Sequence, residues 1–258
     1  MMGRGTAISW ADNSCNFWWG CLKVSPGCSN CYAEVIDKHQ HWGPAATTTR
    51  SRMKGVWSSI ESWNRRAGHT GERERTFVMS MGDFFEDHPQ VTSWRNKAIP
   101  LLEGCTNLDI LMLTKRPENV ASMAPGWAQR WPSHVWMGAS VEDQQRLDER
   151  LPVLRTIPAA VRWLSCEPLL GPLDLGDLAG IHWVVIGGES GPKYRPMELS
   201  WLLGIVDQCQ RSGVPVFVKQ DNAKHEGGQG RIPDAIWSIK QFPVTIQDAP
   251  AEQMILFA

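Results

Sequence analysis

Residues 108–123, LDILMLTKRPENVASM, contain the unit from which the fold is predicted. The apolar run Leu108–Leu113 has the composition of a buried strand, and a proline opens a predicted helix over Pro117–Met123. The polar run Thr114–Arg116 lies between them. Because strands that alternate with helices pair in parallel through right-handed crossovers, repeats of this unit predict an α/β fold.

Comparable apolar segments recur along the chain. The other predicted strands are Ala7–Trp10, Phe77–Met81, Val135–Met137, Val161–Leu164, Trp183–Ile186 and Val216–Val218. Further helices are predicted over Val91–Glu103, Glu142–Leu154 and Glu198–Arg211. Polar side chains follow each strand, as they do at the rim of a (β/α) barrel where active sites are built. A full or partial TIM-type (β/α) barrel of mostly parallel strands is therefore predicted, and loops that are merely polar are the alternative.

Length and composition favour one globular domain. The chain has 258 residues, of which 42% are hydrophobic and 21% charged. No apolar run reaches the ~18 residues of a membrane helix, and no secretory pattern opens the chain, so we expect a cytoplasmic protein without membrane contact. We expect the barrel over residues 1–220 and a C-terminal extension over 221–258 that packs on it. The net charge of −1 excludes a protein whose whole surface is basic.

A basic insert of about residues 43–75 lies between the first two predicted strands. From Arg50 to Arg75 it has an excess of four positive charges, and Trp57 and Trp63 are interleaved with them. Basic and aromatic side chains together are typical of surfaces that contact phosphates and stack bases. A solvated helical insertion is the alternative.

Three cysteines in the predicted loop 15–31 are the strongest chemical signal. Cys21, Cys28 and Cys31 have the spacing Cys-x6-Cys-x2-Cys, and the intervening Ser25–Gly27 predicts a turn that brings the thiols together. Three thiolates leave one position open to a small ligand, on a 4Fe-4S cluster or on a metal ion.

Other interpretations of the cysteines stay open. Zinc bound by the three thiolates and His39 or His41 would form a closed structural site. For Cys15, three interpretations are open: a fourth ligand, a redox partner or a buried small residue. Two further functions are alternatives to an enzyme: a non-catalytic zinc- or iron–sulfur-binding module that docks a partner, and a redox sensor.

Six stretches occur in the order of a known family. They are Gly20–Glu34, Leu113–Pro117, Gly138–Glu142, Ser165–Leu170, Gly187–Gly191 and Phe217–Gln220. Together they resemble the three-cysteine-motif proteins of bacteriophages and bacteria, over residues 7–237. That family is similar to the radical S-adenosylmethionine superfamily, with spore photoproduct lyase as a distant relative. The chain departs from the family pattern at Asn13–Trp19, where relatives tend to have Trp-Asn-Pro.

The resemblance implies a radical S-adenosylmethionine enzyme of the isomerase, lyase or transferase class. Its cofactors would be S-adenosylmethionine and a 4Fe-4S cluster on Cys21, Cys28 and Cys31. An external one-electron reductant would reduce the cluster. Asp83 is expected at the methionine ammonium, Lys115 or Arg116 at its carboxylate. The candidate cofactor-binding residues are Tyr32, Ser80, Gly82, Asp83, Lys115, Arg116, Ser140, Glu142, Gly187 and Gly188.

The candidate catalytic residues are Cys166, Glu167, Glu189 and Lys219. Cys166 is expected to face the barrel lumen and to donate a hydrogen atom, although strand alternation lets only one of Cys166 and Glu167 point inward. The resemblance and the basic insert favour a nucleic-acid base as the substrate, such as a modified thymine in phage-type DNA that is isomerised or remodelled. Such a base would be flipped out of a duplex or presented in a single strand or nucleotide.

Overall fold

The computed structural model describes residues 5–37, 41 and 49–244. Seven parallel strands form one sheet that curls into a half-barrel, in the order β1-β4-β5-β6-β7-β8-β9, and β2 pairs with β3 in a separate antiparallel ribbon. The strands are β1 (Asn13–Ser14), β2 (Trp18–Trp19), β3 (Ser51–Arg52), β4 (Glu74–Val78), β5 (Leu108–Thr114), β6 (Val135–Ser140), β7 (Arg162–Cys166), β8 (Trp183–Gly187) and β9 (Val216–Gln220). The prediction of an α/β fold with a partial barrel is confirmed.

Helices connect most of these strands. They are α1 (Tyr32–Ile36), α2 (Val56–Thr70), α3 (Pro89–Gly104), α4 (Val120–Met123), α5 (Pro125–Gln129), α6 (Gln144–Thr156), α7 (Leu199–Ser212) and α8 (Asp234–Trp237). The helix predicted from Glu142 begins at Gln144, because the Asp143 side chain accepts the Arg146 N–H at 2.9 Å and caps it. The predicted helix Pro117–Met123 is a 3-10 turn over Pro117–Asn119 followed by α4.

The predicted first strand over Ala7–Trp10 is wrong. The strand at this edge is β1, which pairs with Thr76 and Phe77. Residues 8–11 form a turn closed by a hydrogen bond from Ala11 N to Ile8 O. The alternation of apolar residues that resembles a strand instead places the buried Trp10 inside the half-barrel, where its ring centroid lies 4.7 Å from that of Phe77 and 5.4 Å from that of Trp163.

Aromatic side chains fill the inside of the half-barrel below the carboxyl ends of its strands. Because successive strand residues point to opposite faces, one set points inward and the other packs against the helices. The inward set forms one buried cluster, here called the tryptophan floor: Trp10, Phe77, Leu111, Trp136, Val161, Trp163, Trp183, Val185 and Phe217. Gly138 makes room for it, since a Cβ there would lie 2.3 Å from the Trp163 ring.

The chain after β9 packs against the sheet beneath the tryptophan floor. Trp183 Nε1 donates to Gln241 O at 2.9 Å, and Gln241 N donates to Val216 O at 3.1 Å. The Arg75 guanidinium lies 3.8 Å from the centre of the Phe242 ring. The segment with Gln241 and Phe242 therefore covers the lower edge of the half-barrel, and residues 245–258 lie outside the described part of the chain.

The described part of the basic insert is a helical insertion. Ile60 and Ala67 of α2 are buried, and Trp57 and Trp63 pack against the main core. Most of the basic side chains pair with carboxylates, in the pairs Arg50–Glu86, Arg66–Glu74, Arg73–Asp109 and Arg75–Asp12. These contacts favour the helical alternative over a phosphate-binding surface.

No helix in the described ranges has the length and apolar character to cross a membrane.

Candidate functional site

A cavity opens at the carboxyl ends of the parallel strands, above the tryptophan floor. Its volume is about 200 Å³, and its mouth is open to solvent. Ligand sites usually occupy about 300–1000 Å³, so the enclosed part of this cavity is small for a ligand site. All but three of the predicted site residues line it: Cys21, Cys28, Cys31, Tyr32, Ser80, Gly82, Asp83, Lys115, Arg116, Ser140, Glu167, Gly188, Glu189 and Lys219.

Cys166 does not line this cavity, and its predicted place in the lumen is wrong. Its side chain is fully buried on the outer face of β7, in the core shared with Cys209 of α7. Ser165 and Glu167 take the inward direction instead. Because its thiol is buried in the core and does not reach the cavity, the residue is a core side chain rather than a hydrogen donor to a bound substrate.

The two glycines at the carboxyl end of β8 lie too close to neighbouring groups to carry a side chain. A Cβ at Gly187 would lie 2.8 Å from Glu167 Oε1, and one at Gly188 would lie 2.3 Å from the Asn222 backbone nitrogen. Gly187 does not line the cavity. It leaves space for the Glu167 carboxylate, which does.

Glu142, the third predicted residue outside the cavity, anchors the cysteine loop. Its carboxylate is fully buried and accepts hydrogen bonds from Gly27 N at 3.3 Å and Arg150 Nη1 at 2.8 Å. Burial alone would raise the pKa of Glu142, but Lys115 and Arg150 hold it below its ordinary value. The predicted ribose contact is therefore replaced by a contact that holds the loop.

A second anchor involves Arg116 and Asp83. Arg116 Nη1 donates to Asp83 Oδ2 at 2.8 Å and lies 3.5 Å from Cys21 Sγ, and Nη2 donates to Leu22 O at 2.8 Å. Asp83 also accepts from Thr114 Oγ1 and from backbone N–H groups. Both charged groups are thus engaged in holding the start of the loop. This corrects the expectation that Asp83 receives the methionine ammonium and leaves Lys115 as the candidate for the carboxylate.

Glu189 provides the third anchor. It accepts hydrogen bonds from Asn30 Nδ2 at 3.1 Å and from Arg195 N and Nε at 2.8 and 2.9 Å. Arg195 Nη1 also donates to Pro26 O at 2.9 Å. Although burial would raise it, hydrogen bonds from Arg195 and Asn30 hold the pKa of Glu189 below its ordinary value. The cysteine loop is therefore fixed across the cavity mouth at the ends of β5, β6 and β8.

The three thiols reach the same cavity but do not converge. Cys21 Sγ lies 3.3 Å from Leu22 O, and Cys28 Sγ lies 3.7 Å from Ser25 Oγ. Burial raises the pKa of Cys21 and Cys31. Within residues 5–37, 41 and 49–244, no three His, Cys, Asp or Glu side chains are grouped as metal ligands.

The other candidate ligands of the zinc interpretation are engaged elsewhere. His41 Nδ1 lies 2.8 Å from Asp37 Oδ2, and His41 Nε2 lies 2.9 Å from Ser51 Oγ. Cys15 is buried in the main core near Cys105. His39 lies outside the described residues.

The model of a family described as "Protein of unknown function (DUF5131)" matches residues 5–236, which include the cysteine loop, the sheet and every anchor residue. The chain belongs to the DUF5131 family. No curated protein matches it.

In this DUF5131 protein, most polar side chains of the cavity described below already have a partner, and Lys115 is the exception among them. Lys115 lines the cavity, and none of the described carboxylates lies within ion-pair distance of its ammonium group. Tyr32 Oη donates to Ser80 O at 2.9 Å. Lys219 Nζ lies 2.9 Å from Glu167 Oε1, and Ser165 Oγ donates to Glu167 Oε2 at 3.2 Å.

Sequence reasoning missed the anchor partners of the DUF5131 loop. Asn30, Glu86, Arg150 and Arg195 were not among the predicted site residues, yet each contacts the cysteine loop or its anchor carboxylates. Asn30 lies between two motif cysteines, which was a usable signal. The other three are distant in sequence from the loop, and no local pattern marks them.

Proposed function

We propose that this DUF5131 protein is a radical S-adenosylmethionine enzyme that holds a 4Fe-4S cluster through Cys21, Cys28 and Cys31. One observation carries the proposal. Three thiols from a single anchored loop line the same cavity as the polar residues at the carboxyl ends of six parallel strands, β4 to β9. In a parallel α/β sheet or barrel, that rim is where active sites are built.

The donor set suits a cluster with one open iron. It consists of three cysteine thiols, and the pair Cys28 and Cys31 has the two-residue spacing common in iron–sulfur ligands. The thiols lie apart, so binding requires Cys21 and Cys28 to turn away from Leu22 O and Ser25 Oγ.

The chain's own residues bind the cofactor and exclude water. A reduced cluster held by Cys21, Cys28 and Cys31 would supply the electron that cleaves the sulfonium of S-adenosylmethionine to methionine and a 5′-deoxyadenosyl radical. Lys115 provides a cation for the methionine carboxylate. Ser80 O, which accepts from Tyr32 Oη, would also accept from the methionine ammonium, and Ser140, which lines the cavity, would contact the ribose. The tryptophan floor keeps bulk water from the inner end of the cavity.

The test is anaerobic purification with iron and sulfide quantified, followed by incubation with dithionite and S-adenosylmethionine. We expect 5′-deoxyadenosine by mass spectrometry. Cys28→Ala should abolish it, whereas Cys209→Ala, which changes a core cysteine on α7, should retain it. Stoichiometric zinc without deoxyadenosine would refute the proposal in favour of a structural metal site. Reversible cluster loss in air without deoxyadenosine would favour a redox sensor.

The substrate that follows from the sequence resemblance is a nucleic-acid base. Product analysis with thymine-modified single-stranded DNA, free nucleotide and duplex DNA tests this choice once deoxyadenosine is detected.

A further inference from the structure

The inner end of the cavity carries a charged pair that the proposed cofactor site does not use. On β9, Phe217 belongs to the tryptophan floor and Lys219 is the next inward residue. On β7, Trp163 belongs to the floor, Ser165 is the next inward residue, and Glu167 follows it. The ammonium and the carboxylate meet 2.9 Å apart, and their side chains are only 19% and 13% exposed.

The pair keeps bonding capacity toward the cavity. Glu167 Oε1 pairs with Lys219 Nζ and Oε2 accepts from Ser165 Oγ, and a carboxylate oxygen with one partner can accept a second hydrogen bond. Trp10 lines the same cavity, is 2% exposed, and its Nε1 has no hydrogen-bond acceptor within the described chain. Buried polar groups are nearly always hydrogen-bonded, so an unpartnered donor at the wall of this cavity points to a ligand.

Stability does not account for this pair. Replacing a buried ion pair by apolar residues is often neutral or stabilising, so such a pair in a cavity wall is weak as a structural element. The chain nevertheless makes room for it, because any side chain at Gly187 would displace the Glu167 carboxylate.

We propose that the Glu167–Lys219 pair, with Trp10 beneath it, is a binding site for an uncharged planar group with an amide-type edge. Lys219 Nζ and Trp10 Nε1 donate to its carbonyl oxygen, and Glu167 accepts from its N–H. The two charges cancel, so an anionic group would face Glu167 and a cationic group would face Lys219 without compensation. The aromatic floor takes the flat face of the ring.

The test uses three isosteric probes on the full chain without iron or S-adenosylmethionine. Benzamide is neutral, benzoate is its anionic isostere and benzamidine its cationic isostere. Saturation-transfer NMR titrations should show benzamide binding about tenfold more tightly than either charged probe. Lys219→Met leaves an unpaired carboxylate and should shift the preference to benzamidine. Glu167→Gln leaves an unpaired ammonium and should shift it to benzoate.

The controls separate this site from general binding. Asp207→Asn breaks the exposed Arg211–Asp207 pair and should leave the order of the three probes unchanged. No binding of benzamide, a preference of wild type for a charged probe, or the same order in both cavity variants would each overturn the assignment. Because no step needs the cluster, this result is independent of whether deoxyadenosine is formed.

Discussion

Replacing Glu142 by glutamine should destabilise the protein and release the cysteine loop. The Glu142 and Arg150 side chains are 0% and 6% exposed and meet at 2.8 Å. Breaking a buried pair by removing one charge costs about 3–5 kcal/mol, because the other charge stays buried without compensation. Solvent screening does not reduce this figure at such low exposure. For a chain of this size, 1 kcal/mol corresponds to about 2–4 °C, so the melting temperature should fall by roughly 6–20 °C.

The pH dependence gives the same prediction an independent test. The folded protein holds the pKa of Glu142 below its ordinary value of 4.5. A lowered pKa stabilises the fold above the unfolded-state value, and that contribution is lost as the pH falls through the folded pKa. The difference in melting temperature between wild type and Glu142→Gln should therefore be full at neutral pH and shrink below pH 4.5.

The assay is thermal unfolding followed by circular dichroism, with hydrogen exchange at the Gly27 amide as a local readout. Gly27 N–H donates to Glu142, so its exchange should accelerate more than that of strand amides. Glu149→Gln is the matched control, because Glu149 lies on α6 and pairs with Arg146 at the surface. A melting temperature of Glu142→Gln equal to that of wild type, or a difference independent of pH, would refute this account of the anchor.

Two further variants test the loop and the tryptophan floor. Arg116→Met removes the guanidinium that joins Asp83 to Leu22 O and Cys21, so we expect less iron to be retained after anaerobic reconstitution than in wild type. Equal iron and sulfide contents would contradict this role. Gly138→Ala places a Cβ 2.3 Å from the Trp163 ring and should cost about 1–3 kcal/mol by overpacking, with altered near-ultraviolet circular dichroism of the tryptophans. An unchanged spectrum and stability would show that the Trp163 ring shifts to accept the added Cβ at no cost.

Six of the seven strands of the sheet could be predicted because buried parallel strands are short, continuous apolar runs. The strand predicted over Trp183–Ile186, for example, differs from the observed β8 by one residue at its carboxyl end. The first strand failed for a physical reason. Trp10 packs in the tryptophan floor and Ile8 packs at its edge, and neither residue pairs with a strand. Alternating apolar residues therefore occur here in a turn, because a large ring is buried there, and the same alternation is typical of a strand.

The cavity lining was also largely predictable, since residues that follow parallel strands meet at one rim. Side-chain direction was not. Cys166 and Glu167 are adjacent, and only the register of β7 decides that Glu167 points inward. Contacts between distant residues were equally hidden: Gly27 and Glu142 are 115 positions apart, and Asn30 and Glu189 are 159 apart.

The six residues between Cys21 and Cys28 carry most of the contacts that fix the loop on this rim, and Asn30 adds one after Cys28. Leu22 N donates to Glu86 at 2.6 Å, and Leu22 O accepts from Arg116. Gly27 N then donates to Glu142. These backbone groups lie between the two cysteines, so a shorter gap would remove anchor points while leaving the thiols. The long spacing is therefore explained by the distance that the loop crosses from the end of β5 to the end of β6, and it does not argue against a shared site for the three cysteines.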